Sequence, residues 1–465
     1  MMKTLSLSDV LQAVDGTLLK GDKGLTIQRI TRHMKSLHEN TLYFHRSKKA
    51  IAPDFFVGKK MFIFVTEDPS MAKDVDQTAC VIHVKNAKEA YLNVIDYYRS
   101  LFNIPIIGVT GTCGKTTTKD MIRHILIKDK KVHSTYLSQN GLHLNLHYLT
   151  GINEKTEVGV FEMGVAYPGN IRVSGRFFKP TIGVITNIGE AHLEGCGTLE
   201  KYIRAKGEML EVVSQEGILI INKDDKNIKK LPLTSFKGKI LSFGLHEQAD
   251  FRATNMLYAN DGMMYTLHFA GNHYEVYTPG YGEHNVYNSL AAITSAHTVG
   301  VSIENAIRRL RTFKTIARHT KIYKGFNGST VIDDTWSCNP SSVKAGMEVL
   351  KNTSKGNKEV LVLGKMQRLG RQLKDQHIKM GKIIMDFGGV DYLITIGTSA
   401  ALTGQQAMKS GLDPEKFIPV SNANELESVL DNLSKENMAI LFKMSLGKMD
   451  PSYRRVVEKY RHLLN

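Results

Sequence analysis

Cysteine is scarce in this sequence: Cys80, Cys113, Cys196 and Cys338 are the four cysteines among 465 residues. They lie far apart and show none of the paired spacing that zinc ligands use. Disulfide frameworks are typical of secreted chains, and the N-terminal stretch MMKTLSLSDVLQAVDG is too polar for a signal peptide. We therefore expect free thiols, no zinc site and a cytoplasmic protein.

Long apolar runs are also missing, so the sequence predicts no membrane span. It contains no internal repeat and no low-complexity segment. Hydrophobic residues make up 42% of the chain and charged residues 23%, as in ordinary globular proteins. Because 465 residues exceed the size at which one hydrophobic core stops growing, we expect two or three domains.

Acidic residues are in the minority, with 45 Asp and Glu against 61 Lys and Arg and a formal net charge of +16. Such a charge can favour nucleic-acid binding, because Lys and Arg neutralise backbone phosphates. The basic residues are spread along the chain, however, with no long basic tract and no nucleic-acid-binding module. Anionic small-molecule substrates, or solubility alone, explain the net charge as well, so we expect no nucleic-acid partner. We also expect a monomer.

The segment GVTGTCGKTTTKDMI, residues 108–122, places glycines, a lysine and three threonines between two apolar elements. The preceding IPIIGV predicts a buried strand, and the apolar spacing that follows predicts a helix. Backbone N–H groups at the start of such a helix can wrap a polyphosphate, with Lys115 reaching its terminal phosphates and Thr116 holding Mg²⁺. We assign ATP binding to Gly111, Thr112, Gly114, Lys115, Thr116 and Thr117. The alternative is a glycine-rich turn that only caps a helix, since Val109 stands where the general phosphate-loop pattern has a glycine.

Apolar runs alternate with helical patterns from about residue 104 to 221 and again after about residue 313. This alternation predicts mostly parallel sheets covered by helices, while residues 236–280 read as an antiparallel appendage. We predict an α/β protein with three domains. They are a small α+β N-terminal domain (1–100), a central parallel-sheet ATPase domain (101–312) and a C-terminal Rossmann-like domain without a dinucleotide fingerprint (313–465).

Polar residues follow the next two predicted strands, where open α/β sheets place their ligands. Glu162 ends the run VGVFE, and Asn187 and His192 follow TIGVIT. A carboxylate and an imidazole beside a nucleotide are plausible magnesium ligands. For His192 considered alone, a structural role in the fold is the alternative.

Six ordered segments give this chain a resemblance to the Mur ligase family of ATP-dependent amide-forming enzymes. They are GVTGTCGKTTT, FEMGVAYPGNI, TNIGEAHLEGCGTLEKYIRAKGE, NKDD, GEHNVYNSLAAI and VIDDTWSCNPSSVKA. Within the family, the chain is most similar to the members that add D-alanyl-D-alanine to a UDP-muramoyl peptide. The resemblance implies that ATP activates a carboxylate as an acyl phosphate, which an incoming amine then attacks.

The resemblance also implies roles for single residues. It makes Lys115, Glu162, His192 and Lys206 catalytic, with Thr116 and Glu162 on magnesium and His192 at a second metal. Lys206 would bind a metal if its amine is carbamylated, because carbamylation turns a cation into an anion with two oxygens; otherwise it is a solvated helix residue beside Glu208. Further nucleotide contacts are implied for Asn288 (adenine), Arg318 (phosphates), Asp334 (ribose) and Asn339; for the asparagines, helix capping or turn formation is the alternative.

The chain departs from the family pattern at several places. Cys113 replaces an asparagine in the loop, Met444 replaces a glycine, and the family's UDP-binding segments are missing from the first domain. Lys365 and Arg368 stand where the family has acidic residues, which would favour an amine substrate with an extra anionic group unless both are surface replacements. Three hypotheses follow: a D-alanyl-D-alanine-adding ligase, a related ligase with other substrates, or a nucleotide-binding regulator without catalysis.

Overall fold

The computed structural model describes residues 2–46, 51–246, 248–325, 328–434 and 437–461. Side chains are described throughout these ranges except at 53 and 142–145. No helix among the described residues is long and apolar enough to cross a membrane.

The strands lie at regular intervals along the whole chain. In chain order they are β1 (Leu5–Ser6), β2 (Thr17–Lys20), β3 (Thr26–Ile27), β4 (Arg29–Thr31), β5 (Thr41–Phe44), β6 (Ile63–Thr66), β7 (Cys80–His83), β8 (Ile106–Thr110), β9 (Val132–Ser134), β10 (Val158–Glu162), β11 (Ile182–Ile185), β12 (Ile218–Asn222), β13 (Lys239–Gly244), β14 (Phe251–Ala259), β15 (Gly262–Phe269), β16 (Asn272–Pro279), β17 (Lys321–Lys324), β18 (Thr330–Asp334), β19 (Lys358–Leu363), β20 (Tyr392–Ile396), β21 (Phe417–Val420) and β22 (Met438–Lys443).

Helices separate most of these strands. They are α1 (Leu7–Val14), α2 (Ala87–Ser100), α3 (Lys115–Leu126), α4 (Leu142–Leu149), α5 (Asn170–Phe178), α6 (Leu193–Cys196), α7 (Leu199–Gly207), α8 (Met209–Val212), α9 (Glu283–Thr298), α10 (Ile303–Leu310), α11 (Pro340–Thr353), α12 (Leu373–Asp386), α13 (Gly397–Lys409), α14 (Ala423–Leu433) and α15 (Pro451–Tyr460).

The chain forms two compact units. Unit 1 contains Met1–Gly108, Asp129–Met163 and Arg172–Thr181. Its five-stranded sheet has the order β2-β7-β6-β5-β4, in which β4 to β7 are parallel and β2 runs antiparallel to β7. Strands β9 and β10 are also parallel, and β10 lies beside the first residues of β8. Buried side chains of α1 and α2 pack in one core with this unit's strands.

Unit 2 contains Val109–Lys128, Gly164–Ile171 and Ile182–Asn465. One of its sheets continues from the end of β8 in the order β11-β12-β13-β14-β15-β16. Strands β11 to β14 run parallel and β14 to β16 antiparallel. The expected antiparallel appendage is therefore right for β14 to β16, but β13 belongs to the parallel part because it pairs with β12 over five residues.

The second sheet of unit 2 has the order β17-β18-β22-β19-β20-β21. All neighbours are parallel except β17, which is antiparallel to β18. Apolar cores cover both faces of this sheet, and Met444 is fully buried in one of them. Met444 is thus a packing residue in this structure.

The predicted fold class is confirmed: the chain is α/β with mostly parallel sheets. The four cysteines are free thiols, as expected. The domain boundaries after residues 100 and 312 remain predictions.

Candidate active site

The loop between β8 and α3 has the backbone that a phosphate loop needs. Gly111 and Gly114 have φ values of 153° and 80°, which residues with a side chain rarely adopt. A Cβ atom at Gly111 would collide with the Thr186 hydroxyl, and one at Gly114 with the Asn288 amide. Gly114 caps α3 without any side-chain hydrogen bond, so the positive end of the helix faces the loop.

Two residues after β11 hold this loop in place. Asn187 accepts a hydrogen bond from the Cys113 N–H (2.9 Å) and donates one to the Cys113 carbonyl (3.0 Å). The Thr186 hydroxyl donates to the same carbonyl at 2.7 Å, and the Asn187 carbonyl accepts from the Thr112 N–H at 2.9 Å. Asn187, which the sequence predicted as a polar residue after a strand, therefore stabilises the conformation of the loop. Thr186 has the same role, which the sequence analysis did not predict.

Lys115 begins α3 and lies over the loop. Its ammonium group donates to the carbonyls of Gly111 (2.9 Å) and Thr112 (3.1 Å). Thr116 is buried and Thr117 half-buried in the first turn of α3. The Lys115 ammonium group and the Thr116 hydroxyl, which the sequence assigns to phosphate and Mg²⁺, thus both lie in the first turn of α3.

Asn288 packs α9 against this turn. Its side-chain oxygen accepts a hydrogen bond from the Thr118 hydroxyl at 3.2 Å, and its amide lies 3.5 Å from Asn285. Asn288 is 5% exposed. In this structure it positions the phosphate loop, and contact with adenine remains a prediction.

His192 lies among positive charges. Its backbone is left-handed (φ 54°) at the start of α6, and its Nδ1 is 3.3 Å from a guanidinium nitrogen of Arg368. Burial, together with Lys115, Arg368 and Lys206, lowers the pKa of His192 to about 3. The imidazole is therefore neutral at physiological pH and keeps a lone pair for a ligand.

A buried histidine supports the segment that carries Arg368. Nε2 of His377 accepts a hydrogen bond from the Met366 N–H at 3.2 Å, so the ring proton lies on Nδ1, which is 2.9 Å from the Thr403 hydroxyl. Burial, with a smaller effect of Lys365, lowers the pKa of His377 to about 4. Lys365 itself is exposed.

Acid should weaken the fold through His377. Between pH 6.5 and about 4 the unfolded chain binds a proton at this residue that the folded chain does not, so stability rises with pH there. We expect His377→Gln to flatten the dependence of unfolding free energy on pH by about 1.4 kcal/mol per pH unit. Urea unfolding between pH 4.5 and pH 7 measures this. The exposed His33, changed to Gln, is the matched control for a histidine substitution at the surface, and the change in slope is read against it.

Lys206 is buried on α7, with 1% of its surface exposed. Its ammonium nitrogen lies 3.1 Å from the Thr110 hydroxyl at the end of β8 and 5.3 Å from the centre of the Tyr202 ring. The alternative of a solvated helix residue is therefore wrong. Glu208, offered as its neighbour, accepts hydrogen bonds from the N–H groups of Gly169 (2.6 Å) and Ile171 (3.1 Å).

Glu162 ends β10 in unit 1 and is 1% exposed. Its carboxylate accepts a hydrogen bond from the Asn140 side chain, and its N–H donates to the Thr135 hydroxyl at 3.1 Å. The predicted position of Glu162 at a strand end is confirmed, and its role as a magnesium ligand stays a prediction.

The residues predicted from the second half of the chain meet around the loop after β18. Asp334 is paired with the fully buried Lys443 at 2.6 Å. Arg318 donates to the Thr335 hydroxyl (3.1 Å) and carbonyl (2.8 Å). Asn339 caps α11, because its side chain and its backbone N–H both form hydrogen bonds with Ser342. Helix capping was the alternative role predicted for this residue. Its side-chain oxygen also lies 3.6 Å from the Cys113 sulfur.

The donor groups suit magnesium held with a nucleotide. No group of three or more His, Cys, Asp or Glu side chains in the described ranges could hold a metal by itself. Magnesium bound to a nucleotide needs only one or two protein oxygens besides phosphate and water, and the Thr116 hydroxyl in the first turn of α3 offers one. A second metal at His192 conflicts with the positive charges of Lys206 and Arg368, unless Lys206 is carbamylated.

Two domain families match the chain. The Mur ligase middle domain matches residues 109–296, and the Mur ligase glutamate ligase domain matches residues 317–446. The first match contains the phosphate loop, His192 and Lys206, and the second contains Arg318, Asp334 and Arg368.

Similar proteins carry a common name. The UDP-N-acetylmuramoyl-tripeptide--D-alanyl-D-alanine ligase of Bacillus subtilis is 29% identical over 380 residues, 81% of each chain. The protein of that name from Escherichia coli is 25% identical over 401 residues, covering 85% of this chain and 86% of that protein. A crystal structure of MurF from Acinetobacter baumannii matches with a TM-score of 0.85 and 24% identity, over 98% of this chain and 100% of that one. MurF ligase from Thermotoga maritima in complex with ADP has a TM-score of 0.78 and 20% identity, over 94% and 97%.

Proposed function

Because the chain belongs to the Mur ligase family, we propose that it is an ATP-dependent ligase that adds D-alanyl-D-alanine to a UDP-linked muramoyl peptide. The observation that carries this proposal is the phosphate loop at the start of α3, where the Lys115 ammonium group donates to the carbonyls of Gly111 and Thr112. A lysine cation at the positive end of a helix suits a transferring phosphoryl group. We also propose that the enzyme is cytoplasmic and monomeric.

The reaction proceeds in two steps. A carboxylate oxygen of the peptide attacks the γ-phosphorus of ATP, which releases ADP and leaves an acyl phosphate. The amine nitrogen of the second substrate then attacks the acyl carbon, and the tetrahedral intermediate expels inorganic phosphate. Lys115 neutralises charge on the phosphate oxygens during the first step, and the start of α3 orients them.

Magnesium supplies further charge neutralisation on the phosphate oxygens when it is bound. Thr116 and Glu162 would hold it, since both offer oxygen atoms. His192 offers a neutral nitrogen, and Lys206 would offer two oxygens as a carbamate. The burial of Lys206 beside the Thr110 hydroxyl, at the end of β8 that leads into the phosphate loop, supports this assignment.

Contacts to the rest of the nucleotide come from the second half of the chain. We assign Asn288 to the adenine side, Arg318 to the phosphates and Asp334 to the ribose. Asn339 is assigned to a position near the nucleotide. Asp334 has one oxygen committed to Lys443, so its other oxygen is the one for a ribose hydroxyl.

Arg368 favours a second candidate, a ligase of the same family with a different amine substrate. Its guanidinium group contacts His192, so the sign reversal at this position falls inside the site. An amine with an additional carboxylate or phosphate would gain a partner there. The third hypothesis, a regulator without catalysis, has no comparable support, because Lys115, His192 and Lys206 are all present and close together.

Phosphate release from purified protein tests this proposal. We expect release only when ATP, Mg²⁺, UDP-muramoyl tripeptide and D-alanyl-D-alanine are all present, and mass spectrometry should find the UDP-muramoyl pentapeptide. Omitting each component in turn gives the controls. Release with another carboxylate and amine, but not with this pair, supports the second candidate instead. If no pair of substrates supports nucleotide hydrolysis, the regulator without catalysis is the hypothesis that remains.

A further inference from the structure

The apolar side chain next to His192 is buried in the core of a different sheet. We call residues 188–197, which lie between β11 and α7, the His192 segment; they fall within the match to the Mur ligase middle domain. Leu193 is 3% exposed and belongs to an apolar core of the second sheet of unit 2. The other buried residues of that core that the structure describes lie between positions 332 and 441, inside the match to the glutamate ligase domain.

Backbone contacts accompany this buried side chain. The Glu194 N–H donates a hydrogen bond to the Arg368 carbonyl at 3.3 Å. Gly370 has φ 56°, and a Cβ atom there would lie 2.8 Å from the Cα atom of Glu194. Because a Cβ atom does not approach another backbone so closely, glycine at position 370 is what lets the loop after β19 lie against α6.

The other end of the His192 segment is fixed to the phosphate loop. The Ile188 N–H donates to the Asp225 carboxylate, and the Gly189 N–H donates to the Thr112 hydroxyl, both at 2.8 Å. Asp225 belongs to NKDD, one of the six segments of the family resemblance. His192 therefore lies between one contact with the phosphate loop and another with the core of the second sheet.

His192 needs such support because its own backbone is strained. Its φ of 54° lies in the left-handed region, which is uncommon in residues with a side chain and costs free energy. Strain of this kind persists only where the surrounding structure enforces it. The neighbouring Leu193 begins α6, and its buried side chain fixes the backbone at that point. Without it, the backbone of His192 would relax and its imidazole would change position.

We infer that Leu193 is a positioning residue, which holds His192 in the candidate active site from within the core of the second sheet. This inference rests on the proposed function, since only there does His192 serve the reaction. A leucine in a close-packed core has few alternative positions, so it fixes the residue beside it in the chain. Leu193 acts through His192 and contacts no reacting group itself.

Turnover and hydrogen exchange of full-length variants test this inference. Leu193→Ala should lower kcat about thirtyfold and leave KM for ATP within about twofold, because Lys115 keeps its place while His192 moves. Leu193→Met, which nearly conserves the side-chain volume, should stay within about threefold of the original protein. In amide hydrogen exchange without nucleotide or metal, residues 190–197 should exchange about tenfold faster in Leu193→Ala.

Two further variants separate positioning from a general loss of stability. Leu412, between α13 and β21, is 5% exposed and belongs to the same core. Leu412→Ala should lower the urea midpoint by a similar amount, yet keep kcat and the exchange of residues 190–197. Gly370→Ala disturbs the contact from the opposite side, since its Cβ atom would collide with Glu194. It should lower kcat as Leu193→Ala does, and the double variant should lose little more than either single variant.

Equal losses of kcat in Leu193→Ala and Leu412→Ala would overturn the inference, because they would indicate an effect of stability alone. A kcat of Leu193→Ala within about threefold of the original protein would also overturn it. Absence of turnover in the original protein with every substrate pair would contradict the proposed function instead. Hydrogen exchange then decides about Leu193: faster exchange of residues 190–197 in Leu193→Ala supports its hold on the His192 segment, and unchanged exchange refutes it.

Discussion

Replacing Lys115 by alanine should lower ATP-dependent phosphate release by about a thousandfold or more. The ammonium group lies over the carbonyls of Gly111 and Thr112, where the terminal phosphates of a bound nucleotide would meet it. Its positive charge is needed most as the γ-phosphoryl group moves between two oxygens, so kcat should fall more than ATP affinity. Initial rates with all substrates saturating, together with calorimetric binding of an ATP analogue, measure both quantities.

A lysine near the end of the same helix provides the control. Lys128 is exposed just after α3, and Lys128→Ala should keep full turnover. Circular dichroism should show both variants folded, because neither residue belongs to an apolar core. Turnover of Lys115→Ala within about threefold of the original protein would contradict the role given to this lysine.

The phosphate loop could be predicted from sequence because its signal is local. Glycines, a lysine and a threonine stand next to one another, and their roles depend on backbone geometry over about four residues. The strands β8, β10, β11 and β12 were likewise predicted from short apolar runs, and their helical neighbours from apolar spacing. Each of these features depends on residues close in sequence.

The remaining parts of the site depend on residues distant in sequence. Asp334 and Lys443 are 109 positions apart, and no short pattern indicates that the carboxylate is paired. Asn187 and Thr186 form hydrogen bonds with Cys113, which lies 74 and 73 positions earlier in the chain. The sequence does not show these contacts, so a polar residue that supports the loop could not be distinguished from one that binds a ligand. Strand β13 was assigned to the antiparallel part because pairing partners are decided by the sheet rather than by the strand's own residues.

Lys206 shows how burial changes the interpretation of one residue. On sequence alone it was either a carbamylated ligand or a solvated lysine, and the structure buries it beside Thr110. A buried ammonium group loses its hydration and is stable only with suitable partners. Carbamylation would remove the cation from the surroundings of His192 and provide oxygens in its place, which makes the modified form the one that suits a metal there.

Lys206→Ala should therefore lower turnover by about a hundredfold to a thousandfold, and high bicarbonate should not restore it, because no amine is left to carbamylate. Acetate, which is small enough to place a carboxylate in the space left by the side chain, should restore part of the rate. Labelled bicarbonate should give a carbamate signal by nuclear magnetic resonance in the original protein and lose it in the variant. Lys201, exposed on the same helix α7, is the matched control, and Lys201→Ala should keep both rate and signal. Full activity of Lys206→Ala would reject a catalytic role for this lysine, while a loss that acetate leaves untouched, with no carbamate signal, would assign it to charge and packing alone.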